Sequence, residues 1–309
     1  MYYSIIIIGP RILLRVSNMK VRLILIMGIV SVSFAASFIR LADGSPAAVA
    51  ALRLIFASAM LLPALLVSGK LREEIRSFSS TDIMFMLLSS FFLALHFIAW
   101  ITSLYFTSIT SSVVLVTLSP VFITLYSVLV FREKMNSRFW AGLLIAMAGC
   151  FILGSGDLKA GHWNIRGDIL ALAGAVAVAG YFLIGSRLRE KVSLLGYIIP
   201  VYSFAAVFLA GFAILSGVSL LEAGRDTYLY CFLMALVCQL MGHSSFNWAL
   251  KRLKAPIATI AIIGEPVGAS IIAFFLVDSV PSVSEAVGGG IILAGIVMIL
   301  YKNNAALIK

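Results

Sequence analysis

Arg53 and Glu265 each stand as the lone charge within a long apolar run. A guanidinium can grip a carboxylate through two parallel hydrogen bonds, and a carboxylate takes an ammonium group or a proton. Either charge deep in hydrocarbon costs about 2.5–3.5 kcal/mol on insertion scales, so each should face protein interior or water. Arg53 lies seven residues beyond Pro46, about 10 Å along a helix. Glu265 lies nine residues beyond Pro256, about 14 Å into a core about 30 Å thick. Pro266 follows Glu265 directly and removes one helix hydrogen bond, which kinks a helix and frees carbonyl oxygens. Pro120 is a second break of this kind. His96 with Trp100, and Gln239 with His243 and Asn247, add polar and aromatic groups to two further apolar runs. They suit a cavity wall, and equally suit interhelical hydrogen bonds. Tyr105, Tyr181 and Tyr202 read as packing or lipid-facing residues.

Several chemistries are missing. The chain has no phosphate-binding Walker loop and no His-Glu-x-x-His pair. Paired catalytic carboxylates are absent from the apolar runs, so no enzyme activity is expected. Cys150, Cys231 and Cys238 sit within apolar stretches, without zinc spacing or a disulfide pattern. Neither metal nor cofactor is expected.

The elements that must position these residues follow from composition. Of 309 residues, 62% are apolar and 12% charged, against about 45–50% and 25% in a soluble domain. Mean hydropathy is +1.10. A soluble globule, a disordered chain and a disulfide scaffold are all excluded. Ten segments qualify as spans: 22–41, 46–68, 82–105, 111–131, 138–155, 167–187, 194–216, 228–249, 256–277 and 283–301. Met1–Ser17 is interrupted by Gly9, Pro10, Arg11 and Arg15, and is too short to span. Met19 is a candidate start, and Met19–Arg22 with the run behind it mimics a secretory signal. Cleavage near Ala35-Ala36-Ser37 would delete the first span.

Basic residues set the orientation. With the N-terminus inside, 18 Lys and Arg fall on the inner side, whereas Arg40, Lys159, Arg166 and Arg225 fall outside. The positive-inside rule then places both termini in the cytoplasm and explains the net charge of +10 without nucleic acid. Trp140, Trp248 and Tyr301 near inner ends, and Tyr228 and Tyr230 near an outer one, suit interfacial anchoring.

The chain also repeats. A shift of 146 residues lays Pro120-Val121 on Pro266-Val267, Gly142 on Gly288, and Ala148-Gly149 on Ala294-Gly295. Five spans per half is an odd number, so the second half must be inverted. The fold expected is an all-α polytopic membrane protein of ten transmembrane helices in two inverted five-helix repeats. Its divisions are an N-terminal cytoplasmic segment 1–21, a first repeat 22–155, an extracytoplasmic linker 156–166, a second repeat 167–302 and a cytoplasmic tail 303–309. A central cavity should be bordered by spans 2, 3, 4, 7, 8 and 9, with spans 5 and 10 peripheral. The glycine pairs Gly142/Gly149 and Gly288/Gly295 read as packing surfaces, with a homodimer face as one use.

Certain motifs carry a family resemblance. Ala50-Ala51-Leu52-Arg53-Leu54, Ser103–Ser108 running into Leu118–Phe122, and Phe131-Arg132-Glu133-Lys134 before Trp140–Leu144 resemble the EamA type of the drug/metabolite transporter superfamily. The likeness covers residues 22–302; it departs at Val277-Asp278-Ser279, where such proteins often carry Gly-Glu. It implies a ten-helix secondary carrier in the plasma membrane, with amino-acid or related metabolite export favoured. Drug-like cations and sugar-phosphate compounds are alternatives within transport, and an intramembrane enzyme or scaffold is the alternative outside it. The expected partners are a small-molecule substrate, the lipid bilayer and protons as coupling ion. Arg53, His96, Trp100, Gln239 and Glu265 are the candidate substrate or coupling residues, with Pro120 and Pro266 as the helix breaks.

Overall fold

Lipid offers backbone groups no hydrogen-bond partner, so a chain this apolar must satisfy them within helices. A computed structural model describes residues 10–160, 164–277, 280 and 282–300, and every regular element among them is helical. Among the described residues, ten helices are long and apolar enough to cross a membrane: Met19–Leu41, Pro46–Val67, Ser80–Ser103, Ile109–Leu129, Ser137–Ser155, Ile165–Lys191, Leu194–Leu215, Arg225–Leu250, Ala255–Leu276 and Val283–Leu300. They are numbered spans 1 to 10 below. Ser45, Ser79, Ser108 and Ser193 open spans 2, 3, 4 and 7, each accepting a backbone N–H three residues on. These bonds satisfy donors that helix starts would otherwise leave orphaned.

Two boundaries differ from those expected. The helix bearing span 1 starts at Pro10 rather than near residue 22. Proline needs no N–H at the first position of a helix, so here it opens one instead of breaking it. The helix of span 5 runs to Ala160 and span 6 begins at Ile165, which shortens the expected 156–166 linker. Residues 1–9, Asp278-Ser279, Tyr301 and the tail 303–309 lie outside the described residues.

Spans 5 and 10 pack along their glycines. A Cβ on Gly142 would lie 2.8 Å from the Gly295 carbonyl oxygen, and one on Gly149 would lie 2.8 Å from that of Gly288. Exchanging the two halves converts one contact into the other, as two inverted repeats about a pseudo-twofold axis require. The same exchange relates span 6 on span 3 to span 1 on span 8: Gly174 meets Trp100 and Gly28 meets Phe246, both at 3.2 Å from the position of a Cβ. The paired glycines are thus occupied within the chain, and the dimer face suggested for them is corrected.

Four spans are interrupted. Span 1 breaks at Phe34, between Pro10–Ser33 and Ala35–Leu41. Span 4 divides into Ile109–Val116 and Ser119–Leu129, with Pro120 second in the latter. Span 9 divides into Ala255–Thr259, a tighter 3-10 stretch Ile260–Gly264, and Glu265–Val277. Span 8 carries ten residues of π-helix, Met234–His243. Such wide turns are rare and gather at functional sites.

Candidate functional site

The interruptions surround one small central cavity. Its wall includes Arg53, His96, Trp100, His243 and Glu265, together with Val32, Ala35, Val116, Ser119, Val178, Phe182, Phe246 and Ile262. Eight of these form four pairs related by the 146-residue shift: Val32/Val178, Trp100/Phe246, Val116/Ile262 and Ser119/Glu265. The cavity therefore sits on the pseudo-twofold axis, inside a shell built twice. Its chemistry comes from where the copies differ. Ser119 is the counterpart of Glu265, and Arg53 belongs to none of the four pairs. Spans 1, 2, 3, 4, 6, 8 and 9 supply the wall, so spans 1 and 6 replace the span 7 that was expected. Spans 5 and 10 supply none of it.

Arg53 is wholly buried, and its Nε, Nη1 and Nη2 have no hydrogen-bond partner. Its Cζ lies 4.1 Å from the centre of the Phe97 ring, a cation–π contact that holds the guanidinium without using its donors. Trp100 Nε1, Ser119 Oγ and His243 Nδ1 are also buried and unpartnered. Buried polar groups are nearly always satisfied in folded proteins, so several orphans on one wall need a reason. A site for a polar ligand supplies one. Glu265 shares that wall, yet Arg53 donates no hydrogen bond to it. The two opposite charges border the same space without closing on each other.

Pro266 leaves less bare backbone than the sequence suggests. The Ile262 carbonyl, which loses its usual donor to the proline, accepts the Glu265 N–H through the 3-10 turn. What span 9 offers the cavity is thus the carboxyl group. The cavity holds about 30 Å³, room for about two waters at roughly 10–15 Å³ each. Pockets for small ligands measure about 300–1,000 Å³. The site is closed down in this conformation.

The remaining candidates divide between wall and scaffold. His96 Nδ1 pairs with the Gly174 carbonyl at 2.9 Å, and its ring stacks on Trp100 at 5.9 Å between centroids. His243 stacks on Phe182 in the same way, at 6.2 Å. Gln239 is fully buried on the π-helical turn but is not a wall residue, and neither amide atom has a partner. Asn247 Nδ2 donates to the hydroxyls of Tyr181 and Tyr202, and Tyr197 meets Ser89 at 2.7 Å. Tyr181 and Tyr202 are therefore interior hydrogen-bonding residues, which corrects any lipid-facing assignment. Phe97, Ser119, Phe182 and Phe246 were not singled out in the sequence. The repeat could have found Ser119 and Phe246, as the counterparts of Glu265 and Trp100. Among the described residues no three His, Cys, Asp or Glu side chains gather as a metal site.

Comparison with known proteins accords with this architecture. Residues 19–155 and again 165–301 match the EamA-like transporter family. An uncharacterized transporter of Archaeoglobus fulgidus is 23% identical over 205 residues, covering 65% of this chain and 70% of that protein. The uncharacterized transporters YdfC and YwfM of Bacillus subtilis are 22% and 24% identical. Those matches cover 62% and 55% of this chain, and 62% and 57% of the relatives, under two thirds of either. A protein of known crystal structure shares the fold with a TM-score of 0.74 at 18% identity, over 90% of this chain and 96% of that one. Two matched domains, meeting where the five-span halves meet, make this chain a member of the EamA-like transporter family.

Proposed function

We propose that the protein is a secondary active carrier that moves small organic metabolites across the plasma membrane by alternating access, with both termini cytoplasmic. The favoured cargo is an amino acid or related zwitterion, and export is the direction that the family resemblance implies. One observation carries the reading: Arg53 is fully buried with all three guanidinium nitrogens unpartnered, on the wall that also holds Glu265. A substrate carboxylate would take both arms of the Arg53 fork. Its ammonium group would face Glu265, and a proton on that carboxyl would replace it once the substrate has left. Exchange of proton for substrate at one carboxyl is a form of coupling, because each gate position then favours a different occupant. The breaks near Pro120 and Pro266 lie in matched places in the two halves, where discontinuous helices can swing to widen the closed cavity.

The experiment is a metabolite comparison of cells with and without the gene, followed by flux of the solute so identified in proteoliposomes. Saturable flux that leaves the solute chemically unchanged is expected. Chemical conversion of the solute, or flux no greater than in empty liposomes, would reject the carrier.

A further inference from the structure

A layer of hydroxyl and amide groups adjoins the central cavity on one side. It is built from Ser89 of span 3, Tyr181 of span 6, Tyr197 and Tyr202 of span 7 and Asn247 of span 8, all fully buried. Asn247 Nδ2 donates to the Tyr181 hydroxyl and, at 3.3 Å, to that of Tyr202. The Tyr197 hydroxyl pairs with Ser89 Oγ at 2.7 Å, a bond between the two repeats. Tyr181 packs on His243 of the cavity wall, at 6.4 Å between ring centres, so layer and cavity touch. Asn247 lies beyond His243 towards the end of span 8 at Leu250, and Tyr197 lies just inside the start of span 7 at Leu194. Both ends are on the side that the positive-inside rule makes cytoplasmic. Arg189, buried near the end of span 6, donates from Nε to the Asn247 carbonyl at 3.1 Å and ties the layer to that side.

The other repeat carries apolar residues in the same places. The 146-residue shift lays Tyr181 on Ala35 and Asn247 on Ile101. Tyr197 and Tyr202 stand four and nine residues beyond the cap Ser193, as Val49 and Leu54 stand beyond the cap Ser45. All four counterparts are buried, and inversion of the repeat puts them on the outer side of the cavity. The two closures therefore differ in what they lose on parting. A hydroxyl or amide recovers its hydrogen bonds from water, so each bond has little net worth. Parted apolar side chains recover nothing from water. Asn247 Oδ1, buried and unpartnered, gains a bond when water or a cargo ammonium reaches it. We infer that the layer of Tyr181, Tyr202 and Asn247 is the inner gate of the cavity, and that the empty carrier opens to the cytoplasm more readily than to the outside. Loading from the cytoplasm, as export requires, follows from that bias. The inference rests on the alternating access and the orientation proposed above.

The test is the rate at which an impermeant thiol reagent labels the Ser119→Cys variant, altered on the cavity wall, in inside-out and right-side-out membrane vesicles without substrate. The parent protein supplies the background from its native cysteines. Labelling from the cytoplasmic face should be roughly tenfold faster than from the outer face. Adding Tyr181→Phe/Tyr202→Phe/Asn247→Leu, which removes donors and acceptors together, should abolish that preference. Adding Tyr181→Phe alone should reduce it by roughly two- to threefold. Thermal unfolding of each variant establishes that it is folded. Equal or faster labelling from the outer face, or a preference that survives the substitutions in folded protein, would overturn the gate and leave alternating access standing. Labelling from neither face would reject alternating access, and the gate with it.

Discussion

Arg53 and Ser119 test the central site side chain by side chain. Arg53→Lys keeps the charge but loses the planar fork. If the fork binds a carboxylate, the substrate's apparent affinity should fall by about tenfold, with the unfolding temperature nearly unchanged. Equal transport by Arg53→Lys would mean that only the charge matters. Ser119 is the repeat counterpart of Glu265, and its hydroxyl is buried without a partner. Ser119→Ala should raise the KM for transport roughly two- to tenfold, the worth of one hydrogen bond, and leave stability unchanged or slightly improved. A loss of stability with unchanged KM would assign the hydroxyl to packing. At this scale Arg53 and Glu265 were readable because a lone charge in an apolar run has few explanations. Tyr181 and Tyr202 were not, since a tyrosine in a span can face lipid or interior, and only their bonds to Asn247 separate the cases.

Between residue and molecule, the helices show what periodicity can and cannot report. Pro120 and Pro266 lie 146 residues apart, so matched interruptions were legible from spacing alone. The π-helical turn Met234–His243 leaves no comparable trace, because its apolar residues look the same at 3.6 residues per turn as in the wider coil. Spans 1 and 6 escaped notice as cavity walls for a similar reason: Val32, Ala35, Val178 and Phe182 carry no polar signal. Span 7 drew attention only through its place in the repeat. Packing between spans 5 and 10 gives an element-scale prediction. In Gly149→Val the new Cβ would lie 2.7 Å from the Ile292 nitrogen, and overpacking costs about 1–3 kcal/mol. Detergent-solubilised protein should unfold at lower temperature, while any folded fraction keeps the parent KM. Unchanged stability would mean that these two helices separate easily.

For the whole molecule, the central claim is that an inverted duplication encloses a site whose chemistry lies in its departures from symmetry. Topology comes first. Ala160→Cys should react with an impermeant thiol reagent in intact cells, and Ser68→Cys only after lysis. The native cysteines, all buried, should contribute little background. Labelling at position 160 only after lysis would invert the molecule. Coupling is the more demanding claim. The most direct measurement is solute flux in proteoliposomes under an imposed pH gradient, comparing the parent protein with Glu265→Gln. Glutamine fills nearly the same space and cannot exchange a proton, so the variant should insert, fold and bind. The account predicts that the gradient drives flux in the parent protein, and that Glu265→Gln loses this dependence while retaining exchange of substrate for substrate. Identical dependence on the gradient in both proteins would contradict it.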